Sequence, residues 1–268
     1  MGHDGDHGIG GWSGPWPNRG PNADVLDFSN VGIYLVGGAV REIVRGFTEK
    51  IKDWDFAVEA ESFSQMRDWI NFNGFEIFVE TPQYYTIRAR APKGYEFAGI
   101  DMTGKTFDFA LCRSEGSYSD GRHPDEVKPG TLLEDLSRRD FTMNAIAMDK
   151  EGTFIDPFDG RTDIERSLIN CVGGTERLEE DALRMVRAIR FGVQLGFYLT
   201  TDISTFLMKT KNVELIDNIS VDRIRDELHK MFRIHSVDSM YFLMAYEELT
   251  EKLFERGGLW LEPTNKGR

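Results

Sequence analysis

Two aspartates, Asp53 and Asp55, lie two positions apart at the start of an apolar run that continues through Val58. In a strand, residues two apart project from the same face, so we expect the two carboxylates to lie side by side. Neighbouring negative charges repel each other unless a cation lies between them, and Mg²⁺ binds carboxylate oxygens together with phosphate oxygens. The pair therefore predicts a Mg²⁺ site, and a solvated loop or strand edge is the alternative interpretation.

A glycine pair, Gly37 and Gly38, follows another apolar run upstream of these aspartates. The run predicts a strand from Ile33 to Val36, and the residues after the pair predict a helix that stops at Gly46. A tight turn at a helix start presents backbone N–H groups to an anion, and glycines let a phosphate approach the chain. The two signals are one helix apart and together predict a nucleoside triphosphate beside a metal ion, although a glycine pair alone is also typical of a plain turn.

A third carboxylate is expected on a strand next to the first two. Asp108 interrupts an otherwise apolar strand predicted from Phe107 to Leu111. A charge in such a strand is costly unless it is paired or bound to a metal. Asp108 is therefore the candidate, and an edge-strand aspartate that faces water is the alternative.

Two adjacent arginines, Arg138 and Arg139, come after a long polar loop and are followed by Asp140 and Asn144. Their guanidinium groups offer forked donors for triphosphate or ribose oxygens, and the two polar residues offer acceptors that can orient them. The same residues could instead form a salt-bridged helix start. Their position after the third carboxylate favours a role in the site.

Asp181 and Arg184 are three positions apart in a helix predicted from Leu178 to Leu195, so we expect them to project side by side. An intrahelical ion pair is one interpretation. The other is base recognition, because cytosine and adenine each present an amino donor beside a ring-nitrogen acceptor. A carboxylate and a guanidinium match that order, whereas guanine and uracil present the reverse order.

The whole chain has 268 residues, 40% of them hydrophobic, and a formal net charge of −13, which is typical of a globular protein of one or two domains. No apolar run reaches the ~18 residues of a membrane span and no signal peptide is visible, so we expect a cytoplasmic protein without membrane contact. The negative charge argues against indiscriminate nucleic-acid binding, so any RNA contact is local. Cys112 and Cys171 are interpreted as buried thiols.

The elements that position these residues fall into three regions. Residues 1–29 are predicted to be a flexible arm, residues 30–160 a head of mixed strands and helices, and residues 161–268 an all-helical neck. A turn at Asp156 to Gly160 marks the boundary between head and neck. The predicted fold class is therefore α+β. The other predicted elements are a helix from Ser62 to Asn71, strands from Phe75 to Val79 and Tyr84 to Arg90, and helices from Ile203 to Leu207 and Val221 to Phe232.

Six short segments, in order along the chain, resemble the motifs of the class II tRNA nucleotidyltransferases, which are the bacterial-type CCA-adding enzymes and their poly(A) polymerase relatives. They are Leu35 to Arg41, Asp53-x-Asp55, Arg138 to Ala145, Asp156 to Gly160, Glu180 to Phe191 and Ile219 to Leu228. The segments extend over about 200 residues, and six of them in order are far more specific than any one alone.

The resemblance implies a polymerase-β-like nucleotidyltransferase head with a mixed sheet, followed by the helical neck. It implies transfer of CMP and AMP from CTP and ATP to a tRNA 3′ end, with Mg²⁺ as the cofactor and a two-metal mechanism. Asp53 and Asp55 would bind the metals, and Asp108 would be the third acidic residue. Arg139 and Asp140 would lie near the ribose, and Asp181 with Arg184 would read the base. The other residues that it places in the nucleotide site are Gly37, Gly38, Arg41, Arg138, Asn144, Arg187 and Arg190.

Two further expectations follow from the resemblance. The loop from Ser114 to Gly130 resembles a flexible loop that CCA-adding members keep. Family members usually continue into body and tail helices, whereas this sequence stops at Arg268, so we expect a weaker grip on the far side of a tRNA. The oligomeric state is open, with a dimer among the options. The alternative functions are a poly(A) polymerase, an enzyme that adds only CC or only A, and a non-catalytic RNA- or nucleotide-binding module.

Overall fold

The computed structural model describes residues 28–115 and 127–255. Most of the predicted arm, the centre of the predicted loop from Ser114 to Gly130, and residues 256–268 lie outside the described residues. The strands of the described residues are β1 Gly32–Val36, β2 Trp54–Glu59, β3 Glu76–Thr81, β4 Thr86–Arg90, β5 Glu96–Phe97, β6 Ile100–Asp101, β7 Thr106–Leu111, β8 Arg113–Glu115, β9 Val127–Pro129, β10 Ala147–Met148, β11 Phe154–Ile155, β12 Leu168–Ile169 and β13 Tyr198–Leu199.

Helices are interspersed in the first half of the chain and dominate the second half. They are α1 Gly38–Val44, α2 Phe63–Phe72, α3 Leu132–Ser137, α4 Gly160–Glu165, α5 Glu176–Glu180, α6 Leu183–Leu195, α7 Thr201–Leu207, α8 Thr210–Val213, α9 Val221–Phe232, α10 Ser236–Met244 and α11 Glu247–Glu255. No helix in these parts of the chain combines the length and the apolar character that crossing a bilayer requires.

Seven strands form one mixed sheet in the order β11-β10-β1-β2-β7-β4-β3. β2 and β7 are parallel, and the other neighbouring pairs are antiparallel. The strands fit this environment because aromatic and β-branched residues pack well on a pleated surface. Phe56, Phe107 and Phe109 are almost completely buried, and their rings contact one another. The predicted head with a mixed sheet is confirmed.

The sequence predictions for individual elements hold closely. The side chain of Ser62 accepts the N–H of Gln65 and caps α2, as its position before the helix predicts. Gly46 has a φ of 78°, just past the end of α1. Tyr84 was expected to begin a strand, but Pro82–Tyr84 form a single 3₁₀ turn and β4 begins at Thr86.

Helices make up nearly all of the neck, as predicted, with one addition. β12 and β13 form a two-residue parallel pair that joins Leu168 to Tyr198 and Ile169 to Leu199. The longest neck helices, α6 and α9, pack against each other and bury Ile189, Ile224 and Leu228 between them and their neighbours. Sequence periodicity could not reveal a two-residue strand pair, because alternation needs a longer segment to be visible.

Gly160, the last residue of the predicted head, makes a close backbone contact with Thr142. A Cβ atom at this position would lie 2.2 Å from the carbonyl oxygen of Thr142, so only glycine fits. The Thr142 hydroxyl donates to Asp163 Oδ2 at 2.7 Å, and its N–H donates to Asn170 O. The start of the predicted neck is therefore joined to the segment that carries the paired arginines. The boundary at residue 160 stays a prediction.

Candidate active site

A cavity of about 700 Å³ lies where the head meets the neck. It is lined by every predicted site residue except Asp108: Gly37, Gly38, Arg41, Asp53, Asp55, Arg138, Arg139, Asp140, Asn144, Asp181, Arg184, Arg187 and Arg190. Leu183, Phe191, Gln194, Arg223 and Lys230 complete the lining. The structure thus brings together residues that are up to about 150 positions apart, while their individual roles stay predictions.

Of the three acidic residues predicted as catalytic, Asp53 and Asp55 line this cavity, and Asp108 lies next to them outside its lining. Asp53 directly precedes β2, Asp55 lies within it, and Asp108 lies opposite Asp55 on the parallel strand β7. Burial, reinforced by the charges of Asp108 and Asp53, raises the pKa of Asp55 to about 6, although Arg139 and Arg88 oppose the shift. The ionised form of Asp55 is therefore unfavourable in the folded chain unless a cation binds beside it.

The donor set fits a Mg²⁺ ion held by two protein carboxylates. Among the described residues, none donates a hydrogen bond to Asp53 or Asp55, and no three His, Cys, Asp or Glu side chains form a group that could hold a metal on their own. Asp108 instead accepts a forked pair of hydrogen bonds from Arg88. Mg²⁺ commonly binds one or two carboxylates and completes its shell with water and substrate phosphates, which suits Asp53 and Asp55.

The glycine turn lies directly beside these carboxylates. Gly37 has a φ of 69°, a conformation that glycine adopts readily, and α1 starts at Gly38. A Cβ atom on Gly37 would lie 3.4 Å from Arg139 Nη1 and 3.7 Å from Asp55 Oδ2. The turn therefore approaches both a guanidinium and a carboxylate of the site.

The paired arginines are fixed by a residue that the sequence analysis did not single out. Asp135 of α3 is buried and accepts hydrogen bonds from Arg138 and from Arg139 Nη2, the latter at 2.8 Å. Burial alone would raise the pKa of Asp135, but the two guanidinium groups outweigh it and lower the pKa. Arg139 also donates to the carbonyl oxygen of Asn144 at 3.2 Å. The arginines are thus oriented before any substrate arrives.

A second network runs through Asp140. Asp140 accepts from Arg187 Nε at 2.9 Å, from Asn144 Nδ2 at 3.0 Å and from the Phe141 N–H. Burial opposes the ionised form, yet these donors lower the pKa of Asp140. Arg41 in turn donates to Asn144 Oδ1 at 2.6 Å. The chain of hydrogen bonds links the helix after the glycine turn to the helix α6 of the neck.

Asp181 and Arg184 do not form the intrahelical ion pair that was one of the two interpretations of their spacing. The prediction of one helix from Leu178 to Leu195 is wrong, because Asp181 has an extended backbone (φ −142°, ψ 99°) and separates α5 from α6. Asp181 Oδ1 accepts a hydrogen bond from the Leu183 N–H, and Asp181 Oδ2 accepts one from Arg223 Nη2 at 2.7 Å. Arg223 belongs to α9, so the neck holds this carboxylate from a second helix.

The Arg184 guanidinium is anchored by oxygens of both head and neck. Its Nη1 donates to Arg177 O and Glu180 Oε2, and its Nη2 donates to Arg138 O at 3.1 Å. A guanidinium has five N–H groups, so with respect to the described residues two of them remain for a ligand. Arg184 and Asp181 both line the cavity, which therefore presents a hydrogen-bond donor and an acceptor to a ligand.

More basic than acidic side chains line the cavity, although the protein as a whole is acidic. Eight basic side chains and four acidic ones line it, whereas the chain has a net charge of −13. Such a contrast concentrates anionic ligands at the cavity. A nucleoside triphosphate, which also needs a cation beside its phosphates, matches both the excess of arginines and the aspartate pair.

Comparison with models of protein families shows which family the chain belongs to. The model of the family described as Poly A polymerase head domain matches residues 33–170, which is just over half of the chain. The chain belongs to the Poly A polymerase head domain family. A second family model, described as the probable RNA and SrmB- binding site of polymerase A, matches residues 201–257.

Curated relatives of this Poly A polymerase family member are CCA-adding enzymes. The enzyme of Geobacillus kaustophilus (strain HTA426) is 41% identical over 200 residues, which cover 74% of this chain and 45% of the relative. The enzyme of Lactobacillus johnsonii (strain CNCM I-12250 / La1 / NCC 533) is 40% identical with the same coverage. The chain thus spans about half the length of the curated relatives that it matches.

Solved structures of a CCA-adding enzyme and of a tRNA nucleotidyltransferase share the fold. The Bacillus stearothermophilus CCA-adding enzyme in complex with CTP is 33% identical, with a TM-score of 0.69, over 86% of this chain and 51% of that one. A tRNA nucleotidyltransferase complexed with a primer tRNA and an incoming ATP analog is 26% identical, with a TM-score of 0.65, over 85% of this chain and 60% of that one. The similarity extends over both head and neck.

Sequence reasoning missed four partner residues in this Poly A polymerase family member: Arg88, Asp135, Arg223 and Glu227. Asp135 could have been found, because it precedes Arg138 and Arg139 by three and four positions, a spacing at which helical side chains meet. Glu227, which accepts Arg190 Nε at 2.5 Å, lies 37 positions away on another helix. Arg88 lies 20 positions from its partner Asp108, and Arg223 lies 42 positions from its partner Asp181, so no local signal pointed to them.

Proposed function

We propose that the chain transfers CMP and AMP from CTP and ATP to the 3′ end of tRNA without a nucleic-acid template, in CCA addition or repair. One observation carries the proposal: a single cavity is lined by Asp53 and Asp55 from the head and by Asp181 and Arg184 from the neck. A metal-binding pair and a donor–acceptor pair for base edges therefore face the same volume. The names of the relatives support this choice of reaction.

The reaction is an in-line attack of the RNA 3′-hydroxyl oxygen on the α-phosphorus, with pyrophosphate as the leaving group. Asp53 and Asp55 would hold Mg²⁺, which in a two-metal arrangement neutralises charge on the attacking and leaving oxygens. Arg138 and Arg139, oriented by Asp135, offer guanidinium N–H groups to phosphate or ribose oxygens. The turn at Gly37 leaves room for the triphosphate to approach the backbone.

Base selection would rest on Asp181 and Arg184. Each Asp181 oxygen accepts one hydrogen bond from the described residues, and each keeps a lone pair for the exocyclic amino group of cytosine or adenine. The two remaining N–H groups of Arg184 can donate to the neighbouring ring nitrogen. Guanine and uracil present a carbonyl oxygen and a ring N–H at these positions, which would face Asp181 and Arg184 with the wrong polarity.

The test is extension of a tRNA that ends at its discriminator base, with each nucleoside triphosphate alone and with mixtures, in the presence of Mg²⁺. We expect C addition from CTP alone, completion to CCA with CTP and ATP, and no extension in EDTA. Asp53→Ala serves as the matched inactive control. A long A tail would identify a poly(A) polymerase, and addition of only CC or only A would identify a partial enzyme. No extension under any condition would favour a non-catalytic RNA- or nucleotide-binding module.

A further inference from the structure

Three charged side chains form a row across three adjacent strands at the edge of the cavity. Asp55 of β2 lies opposite Asp108 of β7 in the parallel register. Asp108 in turn lies opposite Arg88 of β4 in the antiparallel register. Side chains directly opposite each other project from the same face and can interact. Arg88 is therefore separated from the proposed metal ligands by a single carboxylate.

Arg88 engages both oxygens of that carboxylate. Its Nε donates to Asp108 Oδ1 at 2.6 Å and its Nη2 donates to Oδ2 at 2.8 Å. This fork is the geometry in which a guanidinium binds a carboxylate most specifically. While it persists, each Asp108 oxygen has already taken up a cationic partner. A metal ion that is to use Asp108 must share an oxygen with Arg88 or displace it.

Stability does not explain the pair. The side chains of Arg88 and Asp108 are 51% and 37% exposed, and ion pairs at such exposure contribute little to folding. An exposed ion pair next to a cation site is suited to exchange. A metal ion can replace the Arg88 guanidinium at the Asp108 carboxylate, and the released guanidinium remains solvated instead of becoming a buried, unpaired charge. The pair also lies outside the lining of the cavity.

We propose that Arg88 is a positioning residue that competes with the divalent cation for Asp108. In the metal-free protein the guanidinium holds the Asp108 carboxylate, and it releases at least one oxygen when a cation binds at Asp53 and Asp55. Arg88 thereby weakens cation binding and keeps the third carboxylate oriented until the cation arrives. This inference rests on the proposed function, because it takes Asp53 and Asp55 as the cation site.

The next arginine on the same strand face is a matched control. Arg90 also pairs across the sheet with an exposed carboxylate, Glu76, at 3.2 Å. Neither residue of that pair lines the cavity, and Arg90 lies opposite Thr106, which carries no charge. Arg90→Ala therefore removes an equivalent exposed ion pair from β4 and leaves the row at Asp108 intact.

The experiment measures Mn²⁺ binding to the full chain without nucleotide or RNA, by titration calorimetry or by the loss of the free-Mn²⁺ electron paramagnetic resonance signal. We expect Arg88→Ala to bind Mn²⁺ about two- to fivefold more tightly than wild type, the factor that corresponds to losing one exposed competing pair. Arg90→Ala should match wild type, and thermal melts should show that all variants are folded.

A double-mutant comparison separates competition from a general charge effect. In an Asp108→Asn background Arg88 has no carboxylate to release, so adding Arg88→Ala should leave Mn²⁺ affinity unchanged. If the tightening persisted there, the charge of Arg88 rather than its pairing with Asp108 would be responsible, and the proposal would be overturned. Unchanged or weaker Mn²⁺ binding by Arg88→Ala alone would overturn it as well.

Failure of the proposed function would look different. If neither wild type nor Arg88→Ala bound Mn²⁺ and tRNA extension were also absent, the cation site itself would be wrong, and this inference would fall with it. If wild type extended tRNA and bound Mn²⁺ in an Asp55-dependent manner, while Arg88→Ala bound it equally well, the proposed function would stand. Only the proposal that Arg88 competes with the cation would then be refuted.

Discussion

At the scale of single residues, the candidate site contains two kinds of aspartate. Asp55 lacks any hydrogen-bond donor among the described residues and has a raised pKa. Asp135 and Asp140, in contrast, are each surrounded by donors, and their pKa values are lowered. The first kind destabilises the folded chain and is expected where a ligand supplies the missing charge. The second kind stabilises it and fixes the arginines around the cavity.

Replacement of Asp55 by asparagine tests this distinction. The change removes repulsion from Asp108 and Asp53 together with the penalty for burying a charge, so we expect Asp55→Asn to unfold at an equal or higher temperature than wild type. Turnover with Mg²⁺ should fall below a tenth of the wild-type value. Thermal melts and single-nucleotide extension assays measure the two quantities. Asp222→Asn, at a side chain that is 85% exposed, is the control and should change neither.

A stable but inactive Asp55→Asn would agree with a metal ligand. If the variant kept more than a tenth of wild-type turnover, Asp55 would not be a metal ligand. If it unfolded at a clearly lower temperature, the carboxylate would have a structural partner in the folded chain.

The paired carboxylates predict how stability depends on pH. Asp135, Asp140 and Glu227 have lowered pKa values in the folded chain, because nearby arginines outweigh the effect of burial. A lowered pKa means that the unfolded chain takes up protons first as the pH falls, so stability is present above the unfolded values of about 3.8 to 4.5 and is lost below them. Urea denaturation between pH 7 and pH 3 measures this.

The variant Asp140→Asn supplies the comparison for that titration. It should be less stable at pH 7 by ~1.5–3 kcal/mol, since hydrogen bonds to a charged group are lost. Its stability should also fall less steeply below about pH 4.5, because one titrating group is gone. A wild-type stability that stayed flat down to pH 3 would contradict the role given to these ion pairs.

At the scale of elements, the site depends on the interruption between α5 and α6. The extended backbone at Asp181 turns its carboxylate toward Arg223 of α9, while Arg184 at the start of α6 reaches back to the carbonyl oxygen of Arg138. The two side chains are therefore positioned independently, from different anchors. Their separation along the chain does not determine their separation in space.

Arg184→Ala tests whether these anchors serve base selection. Loss of a hydrogen bond from a charged donor is worth ~1.5–3 kcal/mol, so we expect the preference for CTP over UTP to fall roughly tenfold to a hundredfold. The ratio of kcat/KM values for single-nucleotide addition measures it. Arg225→Ala on α9, whose residue pairs with Asp222 outside the cavity lining, should leave the ratio unchanged. Slower turnover with an unaltered ratio would leave Arg184 with a structural role.

The helix interruption also shows where sequence reasoning stops. The strand, glycine turn and helix at residues 32–44, and the placement of Asp108 on a strand beside that of Asp55, followed from apolar runs and their breaks. The break at Asp181 did not, because Leu178, Ala182 and Val186 are each four positions apart, a spacing that remains compatible with one helix. The partners Arg88, Arg223 and Glu227 depend on which elements become neighbours, and a pattern within one element carries no such information.

At the scale of the whole molecule, head and neck are joined by short-range contacts rather than by a loose linker. The segment 170–172 follows α4 and β12 and pairs with the segment 140–142, through Thr142 N to Asn170 O at 2.9 Å and Val172 N to Asp140 O at 3.2 Å. Gly160 packs against Thr142 at the same place. We therefore expect the two parts to unfold together in one cooperative transition.

Gly160→Ala tests this joint. The added methyl would meet a backbone carbonyl at 2.2 Å, and overpacking of this kind costs ~1–3 kcal/mol. We expect a lower melting temperature, with far-UV and near-UV circular dichroism still reporting one shared transition. Gly38→Ala is the matched control for stability, because its Cβ would find its nearest neighbour at an ordinary 3.6 Å. Two separate transitions in wild type would show that head and neck fold independently.

The anchoring of Arg184 to the backbone of Arg138 has a consequence for inheritance. In an enzyme that copies a strand, the product sequence is stored in nucleic acid and corrected by base pairing. Here, under the proposed function, the product sequence is determined by the shape and polarity of a protein pocket and by no nucleic-acid template. A substitution at Asp181 or Arg184 that changed nucleotide selection would then change the sequence added to every RNA that the protein extends. Natural selection on this pocket would therefore act on an RNA sequence.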